Sequence, residues 1–189
     1  MIIETARLVI RLPDCSERDI QMYYDLWNSQ EVMSLVGFPQ GLLIQREEIR
    51  KKIFAAGDRI FNRTLVIELK KNFLPIGEAK MNLPDETNIA RTDIKILPNY
   101  WNNGFGKEVK SALVDYIFEN TTAIAVEATP NKKNLASQKI QKFVGASKVG
   151  ESVYCFPDKM RSYTKDVEYC IFRLYRDVWQ KRNKDNKND

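Results

Sequence analysis

A chain of 189 residues, 43% hydrophobic and 11% aromatic, has the composition of one globular domain with a sizeable core, not of a disordered segment. It contains no histidine, which removes Ser-His-Asp and Cys-His nucleophiles and histidine-held zinc, so no metal site is expected. The net charge of +5 would permit an acidic partner, but Lys181, Arg182, Lys184 and Lys187 lie in a polar tail and the remaining charges are mixed, which argues against nucleic acid.

No apolar run approaches the roughly 18 residues that span a membrane. The opening Met-Ile-Ile-Glu-Thr-Ala-Arg lacks a signal peptide's basic start, apolar core and cleavage site. Cys15, Cys155 and Cys170 are an odd number at no metal-like spacing, which favours a reducing cytoplasm over a disulfide framework.

In chain order, Leu8–Arg11 is predicted as a first short strand, closed by Pro13. Ser16 can cap a helix, with Asp19 three residues on in place of a capping-box glutamate. Ile20, Tyr23, Tyr24 and Trp27 form its apolar stripe. Core packing accounts for all four, and Tyr24 or Trp27 could also line a cleft. After the loop Gly37–Gly41, a second helix is predicted over Gln45–Ala56, with Ile49, Ile53 and Ala56 inward and Gly57-Asp58 ending it. Thr64–Leu69 and Ile76–Met81 are predicted as an antiparallel hairpin across Lys70–Pro75. Pro84–Asn88 turns the chain into a strand, Ile89–Leu97.

That strand leads to Pro98-Asn-Tyr-Trp-Asn-Asn-Gly-Phe-Gly-Lys107 and then to a helix. Val109, Ala112, Leu113, Tyr116 and Ile117 recur on that helix at the spacing of one buried face. Thr122–Thr129 is predicted as a buried strand ended by Pro130. A helix from Asn134 through Val144 follows, with Ala136, Ile140 and Phe143 on one face and Gly145 as its stop. Lys148–Tyr154 and Val167–Leu174 read as a closing strand pair across the loop Cys155–Lys165. Arg176–Lys181 reads as a terminal helical turn. Residues 1–180 therefore form a single domain and 181–189 a disordered polar tail. Antiparallel strands come first and a βαβαβ core second, which is a mixed α/β (α+β) fold.

A strand, a glycine turn and a helix leave unpaired backbone N–H groups at a helix N-terminus, a site suited to phosphate. A dinucleotide fingerprint is a poor fit, because Val109 stands where the third glycine would and no second mononucleotide half follows, although Glu127 falls near the distance of the ribose-binding acid. A P-loop would need Gly-Lys followed by Ser or Thr, which is absent.

The stretch Pro98–Gly106 resembles the pyrophosphate-binding motif of the GNAT superfamily of N-acetyltransferases, Gln/Arg-x-x-Gly-x-Gly/Ala. Trp101 stands at the Gln/Arg position, as in the branch that includes the ribosomal-protein N-terminal acetyltransferases. Glu4–Arg11 is similar to that branch's opening strand. Asn131–Ser137 with Phe143-Val-Gly145 resembles its Asn-x-x-Ser helix and Gly-Phe ending, with Ala146 replacing the Phe. Asp166–Trp179 resembles its last strand and closing Trp.

The resemblance implies a mostly antiparallel central sheet with splayed middle strands and flanking helices, with acetyl-CoA as co-substrate. The pyrophosphate would sit on the N–H groups of Asn102, Asn103, Gly104, Phe105, Gly106 and Lys107, with the glycines keeping Cβ atoms away. Pantetheine would run along the backbone of Ile96 and Leu97, and Asn134 would hold it while also capping its helix. The amine acceptor, a peptide N-terminus or a small amine, must lose a proton to a base. Candidate carboxylates are Glu78, Asp93 and Glu127, with Glu78 ranked first because a mid-strand position in a cleft would desolvate it. An N–H near Leu97 would serve the developing oxyanion. The family's thiolate-protonating Tyr is replaced by Gln141, which leaves Ser137 as the hydrogen-bond donor to sulfur, with Tyr154 and Cys155 as other acids. The resemblance makes a homodimer reasonable. Two rival readings are a non-catalytic CoA-binding module acting as sensor or scaffold, and a nucleotide-dependent oxidoreductase.

Overall fold

Alternating apolar residues build the sheet, and the computed structural model describes it within residues 3–14, 16–55, 57 and 59–185. The expectations for Cys15, Ala56, Asp58 and the last four residues lie outside the described residues. The strands are β1 (Ile3–Glu4), β2 (Leu8–Arg11), β3 (Arg63–Leu69), β4 (Leu74–Asn82), β5 (Ile89–Ile96), β6 (Ala125–Ala128), β7 (Ser147–Tyr154) and β8 (Val167–Tyr175). The helices are α1 (Glu17–Asn28), α2 (Gln30–Met33), α3 (Arg46–Ala55), α4 (Phe105–Asn120), α5 (Leu135–Phe143) and α6 (Arg176–Asp185). No helix among the described residues is long and apolar enough to cross a membrane.

The strands form one sheet in the order β1-β2-β3-β4-β5-β6-β8-β7. Its neighbours are antiparallel except β5 and β6, which α4 connects in parallel. Strand β8 enters between β6 and β7, so the expected closing pair is present with its later strand on the inside. The hairpin β3–β4 forms as its pattern requires, but β4 starts two residues earlier than Ile76. Pro75 is accommodated because the register shifts at Ile67/Glu68, a bulge that relieves the ladder at a residue with no N–H to give.

Two apolar layers cover the sheet. Leu8, Ile10, Leu65, Ile67, Ala79, Met81 and Ala90 meet α4 through Val109, Leu113, Val114, Ile117 and Phe118. On the other face Val66 packs under Ile20, Tyr23 and Leu26 of α1 and Ile49 and Ile53 of α3. Ser16 caps α1 by accepting from the Asp19 N–H, at 3.3 Å. Asp19 does more than the cap pattern implied: fully buried, it takes a two-pronged contact from Arg11 at 2.8 and 2.7 Å, and Arg11 also reaches Glu68. This ion triad ties α1 to β2 and β3.

Four sequence expectations shift. Strand β6 is Ala125–Ala128, shorter than Thr122–Thr129, because its approach is spent bonding Asn88. The buried face of α4 includes Lys110, Val114 and Phe118, while Ala112 and Tyr116 are only half-buried, because α6 also packs on this helix through Trp179 against Phe118. On α5 the expected stripe is wrong: Ala136 and Phe143 are exposed and Ile140 half-buried, whereas Gln141 and then Val144 turn inward. Helix α6 runs to Asp185, so residues 181–185 of the tail read as disordered are helical.

Candidate functional site

The gap in the sheet follows from where its ladders stop. Strands β5 and β6 pair only through Ile89–Ala125, Ala90–Val126 and Arg91–Glu127. Beyond Arg91, β5 stays with β4 as far as Gly77–Ile96. The chain leaving β6 instead follows β8, with Cys170 N–H on Pro130 O and Lys132 N–H on Glu168 O, both at 2.9 Å. Two edges that should bond each other therefore diverge from Thr92 onward. Their backbone groups are left for something else to satisfy.

The β5 edge of this cleft can be read from the pairing. Leu97 donates its N–H to Ile76 O at 2.9 Å, and its carbonyl accepts from Tyr100 N–H at 2.9 Å, so both of its backbone groups are taken. By antiparallel alternation, Ile94 and Ile96 point theirs away from β4 into the cleft. The Ile96 carbonyl accepts the Trp101 indole N–H at 2.7 Å. Of the two residues expected to bond pantetheine, Ile96 turns its backbone groups toward the cleft and Leu97 does not. The same edge, at Ile96 and not Leu97, also offers the N–H for a developing oxyanion.

At the cleft's mouth, Pro98–Tyr100 makes a single 3-10 turn and Asn102 has a left-handed φ of 62°. Asn103 steadies the turn by donating to Trp101 O at 2.9 Å and Tyr100 O at 3.3 Å. Gly104 is the N-cap at φ 79°, a conformation that costs a residue with Cβ about 1 kcal/mol or more. Lys107 and Glu108 both donate to Gly104 O, which leaves the Phe105 and Gly106 N–H groups ahead of the first helical bond. A Cβ on Gly106 would lie 2.7 Å from Ile140 Cδ1, so this glycine brings α5 against the start of α4. Lys107 does not point at the turn; its Nζ sits 4.8 Å above the Phe143 ring.

Arg7 is a residue whose role the sequence did not reveal. It donates to Asn103 O at 3.0 Å, binds Glu108 through Nε at 2.7 Å, and lies 4.5 Å over the Phe105 ring. Thr5 adds a hydroxyl bond to Glu108 at 2.6 Å. Burial raises the Glu108 carboxyl, but the bonds from Thr5 and Arg7 outweigh it and hold the group below its usual range. In the sequence Thr5 and Arg7 belong only to the stretch Glu4–Arg11 that resembles an opening strand. Its partners are about a hundred residues away in the chain.

The carboxylates divide into three situations. Glu78 is buried, with Oε2 accepting from Trp27 Nε1 and Oε1 from Lys95 Nζ, both at 2.9 Å. Asp93, about half-exposed, also bonds Lys95, so this ammonium sits between two carboxylates. Burial lowers the Lys95 pKa, but Glu78 and Asp93 outweigh it and raise it well above the ordinary value. Burial likewise raises Asp93, but Lys95 more than reverses this and leaves it low. Trp27 packs as expected, 5.0 Å from the Tyr23 ring, and its indole N–H donates to Glu78. Tyr24 instead lies under the Arg46 guanidinium, at 5.0 Å. Glu127 is held by Arg91 at 3.1 Å and Arg173 at 2.8 Å from the strands on either side, a cross-strand clamp.

From α5, Asn134 accepts the Ser137 N–H at 2.9 Å as the N-cap. Ser137 is half-buried, and Gln141, one turn on, is buried with no hydrogen-bond partner for its Oε1. Tyr154 is exposed and meets Phe156 edge to face, and Cys155 is exposed beside it. The loops Gly37–Gly41 and Cys155–Lys165 meet each other. Phe38 edges Phe156 at 5.3 Å, and Lys165 donates to Gly37 O at 2.8 Å. Asn131 joins them by donating to Leu35 O at 3.1 Å.

Comparison with known proteins agrees with this architecture. A family model described as an acetyltransferase (GNAT) domain matches residues 7–147. Among solved structures, a GNAT-family acetyltransferase from Bacillus anthracis is similar with a TM-score of 0.74 and 18% identity, over 93% of this chain and 98% of that one. A structure described as a putative ribosomal-protein-serine acetyltransferase from Vibrio cholerae matches with a TM-score of 0.70 and 21% identity, over 92% and 96% of the two chains. A spermidine N-acetyltransferase from Vibrio cholerae, in complex with CoA and spermine, matches with a TM-score of 0.72 and 17% identity, over 92% and 98%.

Proposed function

The chain belongs to the GNAT acetyltransferases, which take their acetyl group from acetyl-CoA, and from that premise we propose that it acetylates a primary amine by direct attack on the thioester. The observation that carries the reading is the cleft between β5 and β6, which ends at a helix start with free N–H groups. These residues fit CoA. Phe105 and Gly106 N–H groups, with the Gly104 turn held by Arg7, suit a pyrophosphate. The Ile94 and Ile96 edge suits an amide-bearing arm that adds to β5 like a strand.

The acceptor's groove is the α1 side of β5. Its floor is Glu78, Lys95 and Asp93, and its rim is the joined loops around Gly37–Gly41 and Phe156–Lys165. Asp93 is half-exposed and held ionised, which suits it to receive an ammonium and orient it. Glu78, already bonded at both oxygens, positions Lys95 and Trp27 around it. The proton that the amine must lose passes to water, with Asp93 holding the nitrogen in place. Ser137 offers its hydroxyl to the sulfur.

A small amine is the acceptor class we favour over a peptide N-terminus. Its support is the acidic, partly screened floor, together with the spermine bound to the spermidine acetyltransferase of the same fold. A CoA-binding module without turnover is the second reading, favoured by Glu78 having no free oxygen and by Gln141.

Calorimetry with acetyl-CoA, CoA and NAD tests the site, and thiol release with spermidine, an aminoglycoside and a short peptide tests turnover. Micromolar binding of both CoA species and thiol release with an amine support the enzyme. Binding without any release selects the module. Absence of CoA binding sinks both.

A further inference from the structure

Helix α4 carries one residue that its packing does not explain. Lys110 is 2% exposed, in the apolar stripe between Val109 and Leu113, where a leucine would serve. Its Nζ has a single hydrogen-bond partner among the described residues, the Thr92 hydroxyl, at 2.6 Å. A buried ammonium with one neutral acceptor is costly, and so it calls for a reason. Among the described residues no carboxylate bonds it. Asp93 lies on the opposite face of β5 with Lys95, Glu108 is held by Arg7 and Thr5, and Asp115 accepts from Trp179. From α5 the inward polar group is the neutral Gln141.

The position of its partner supplies the reason. Thr92 is the first residue past the last β5–β6 pair, at the root of the cleft, and is half-buried. It shares the α4 side of the strand with Ile94 and Ile96. An arm laid inward from Gly104–Gly106 along Ile96 and Ile94 brings its sulfur end toward Thr92.

Resting on the acetyl-transfer reading, we propose that Thr92 and Lys110 form the acid that protonates the departing CoA sulfur, with Thr92 touching the sulfur and Lys110 acting through it as a positioning residue. The acceptor nitrogen bonds to the acetyl carbon, and the carbon–sulfur bond breaks with its electron pair on sulfur. The Thr92 hydroxyl proton moves to sulfur while the Lys110 ammonium returns one to Thr92. The nitrogen's surplus proton leaves to water, and Lys110 regains a proton from water by way of Thr92. Amide and CoA thiol are the products, with protons balanced. Among the described residues Ser137 has no second group behind its hydroxyl, and it gives a hydrogen bond only. Burial brings the Lys110 amine down to about 7, against a small opposing pull from Asp93, which matches a group that must exchange a proton near neutrality.

The test reads the ultraviolet absorbance of the CoA thiolate in the complex of the intact protein with CoA, as a function of pH. The expected result is a bound thiol that ionises about one unit below free CoA, because the Thr92 hydroxyl, held in place by Lys110, donates a hydrogen bond to the thiolate. Lys110→Met and Thr92→Val should lose that shift while still binding CoA, and Thr92→Ser should keep it. Identical curves for the wild type, Lys110→Met and Thr92→Val overturn the proposal and leave the CoA site standing. Absence of CoA binding by the wild type overturns the acetyl-transfer reading and this proposal with it.

Discussion

Two lysines flank strand β5 on opposite faces, and the protein treats them in opposite ways. Lys95, on the α1 side, sits between Glu78 and Asp93 and is held protonated far beyond neutrality. Lys110, on the α4 side, meets only a hydroxyl and is brought down to about 7. Burial lowers both; the carboxylates on one side reverse the sign. The cleft thus runs between a fixed charge and a titratable one. That asymmetry suits a reaction that must attract a cation on one side and move a proton on the other.

The largest effect should come from Lys95→Met. It leaves Glu78 buried against Trp27 without its counter-charge, which costs about 3–5 kcal/mol in chemical denaturation. If stability is unchanged, the contrast between the two faces is false. Lys110→Met should do the reverse and stabilise the protein at pH 7, because an unpaired buried amine is replaced by an apolar side chain of similar size.

The pH dependence sharpens the same contrast. The unfolded chain keeps the Lys110 proton up to its ordinary value of 10.5, whereas the folded chain sheds it near 7. Between those values the unfolded state binds more protons, so stability should rise with pH, by roughly 5 kcal/mol in all. In Lys110→Met that slope should vanish, and denaturation curves at pH 7 and 9.5 check it. Trp101→Phe should have the smallest effect. Losing the indole donor to the Ile96 carbonyl should cost about 1 kcal/mol and weaken CoA binding less than tenfold by calorimetry.

Much of the fold was legible because local pattern and local structure coincide. The hairpin of β3 and β4, the Ser16 cap, the Asn134 cap and the glycine turn each depend on neighbours within a few residues. The family's order of motifs then placed the splayed strands. Where periodicity alone was used on α5, it failed. The helix turns Gln141 inward and exposes Phe143, because it packs through Ile140 on the start of α4 at Gly106.

Residue identity alone determined which chemistries were open: no histidine, a glycine turn for phosphate, and carboxylates, lysines and hydroxyls as the only proton carriers apart from Tyr and Cys. What each titratable group does was decided only in three dimensions. Glu78 and Lys95 are 17 residues apart, Thr92 and Lys110 are 18 apart, and Arg7 meets Glu108 across 101. A charge's behaviour depends on its distance to other charges and its exclusion from water, and both are set by how β5 packs between α1 and α4.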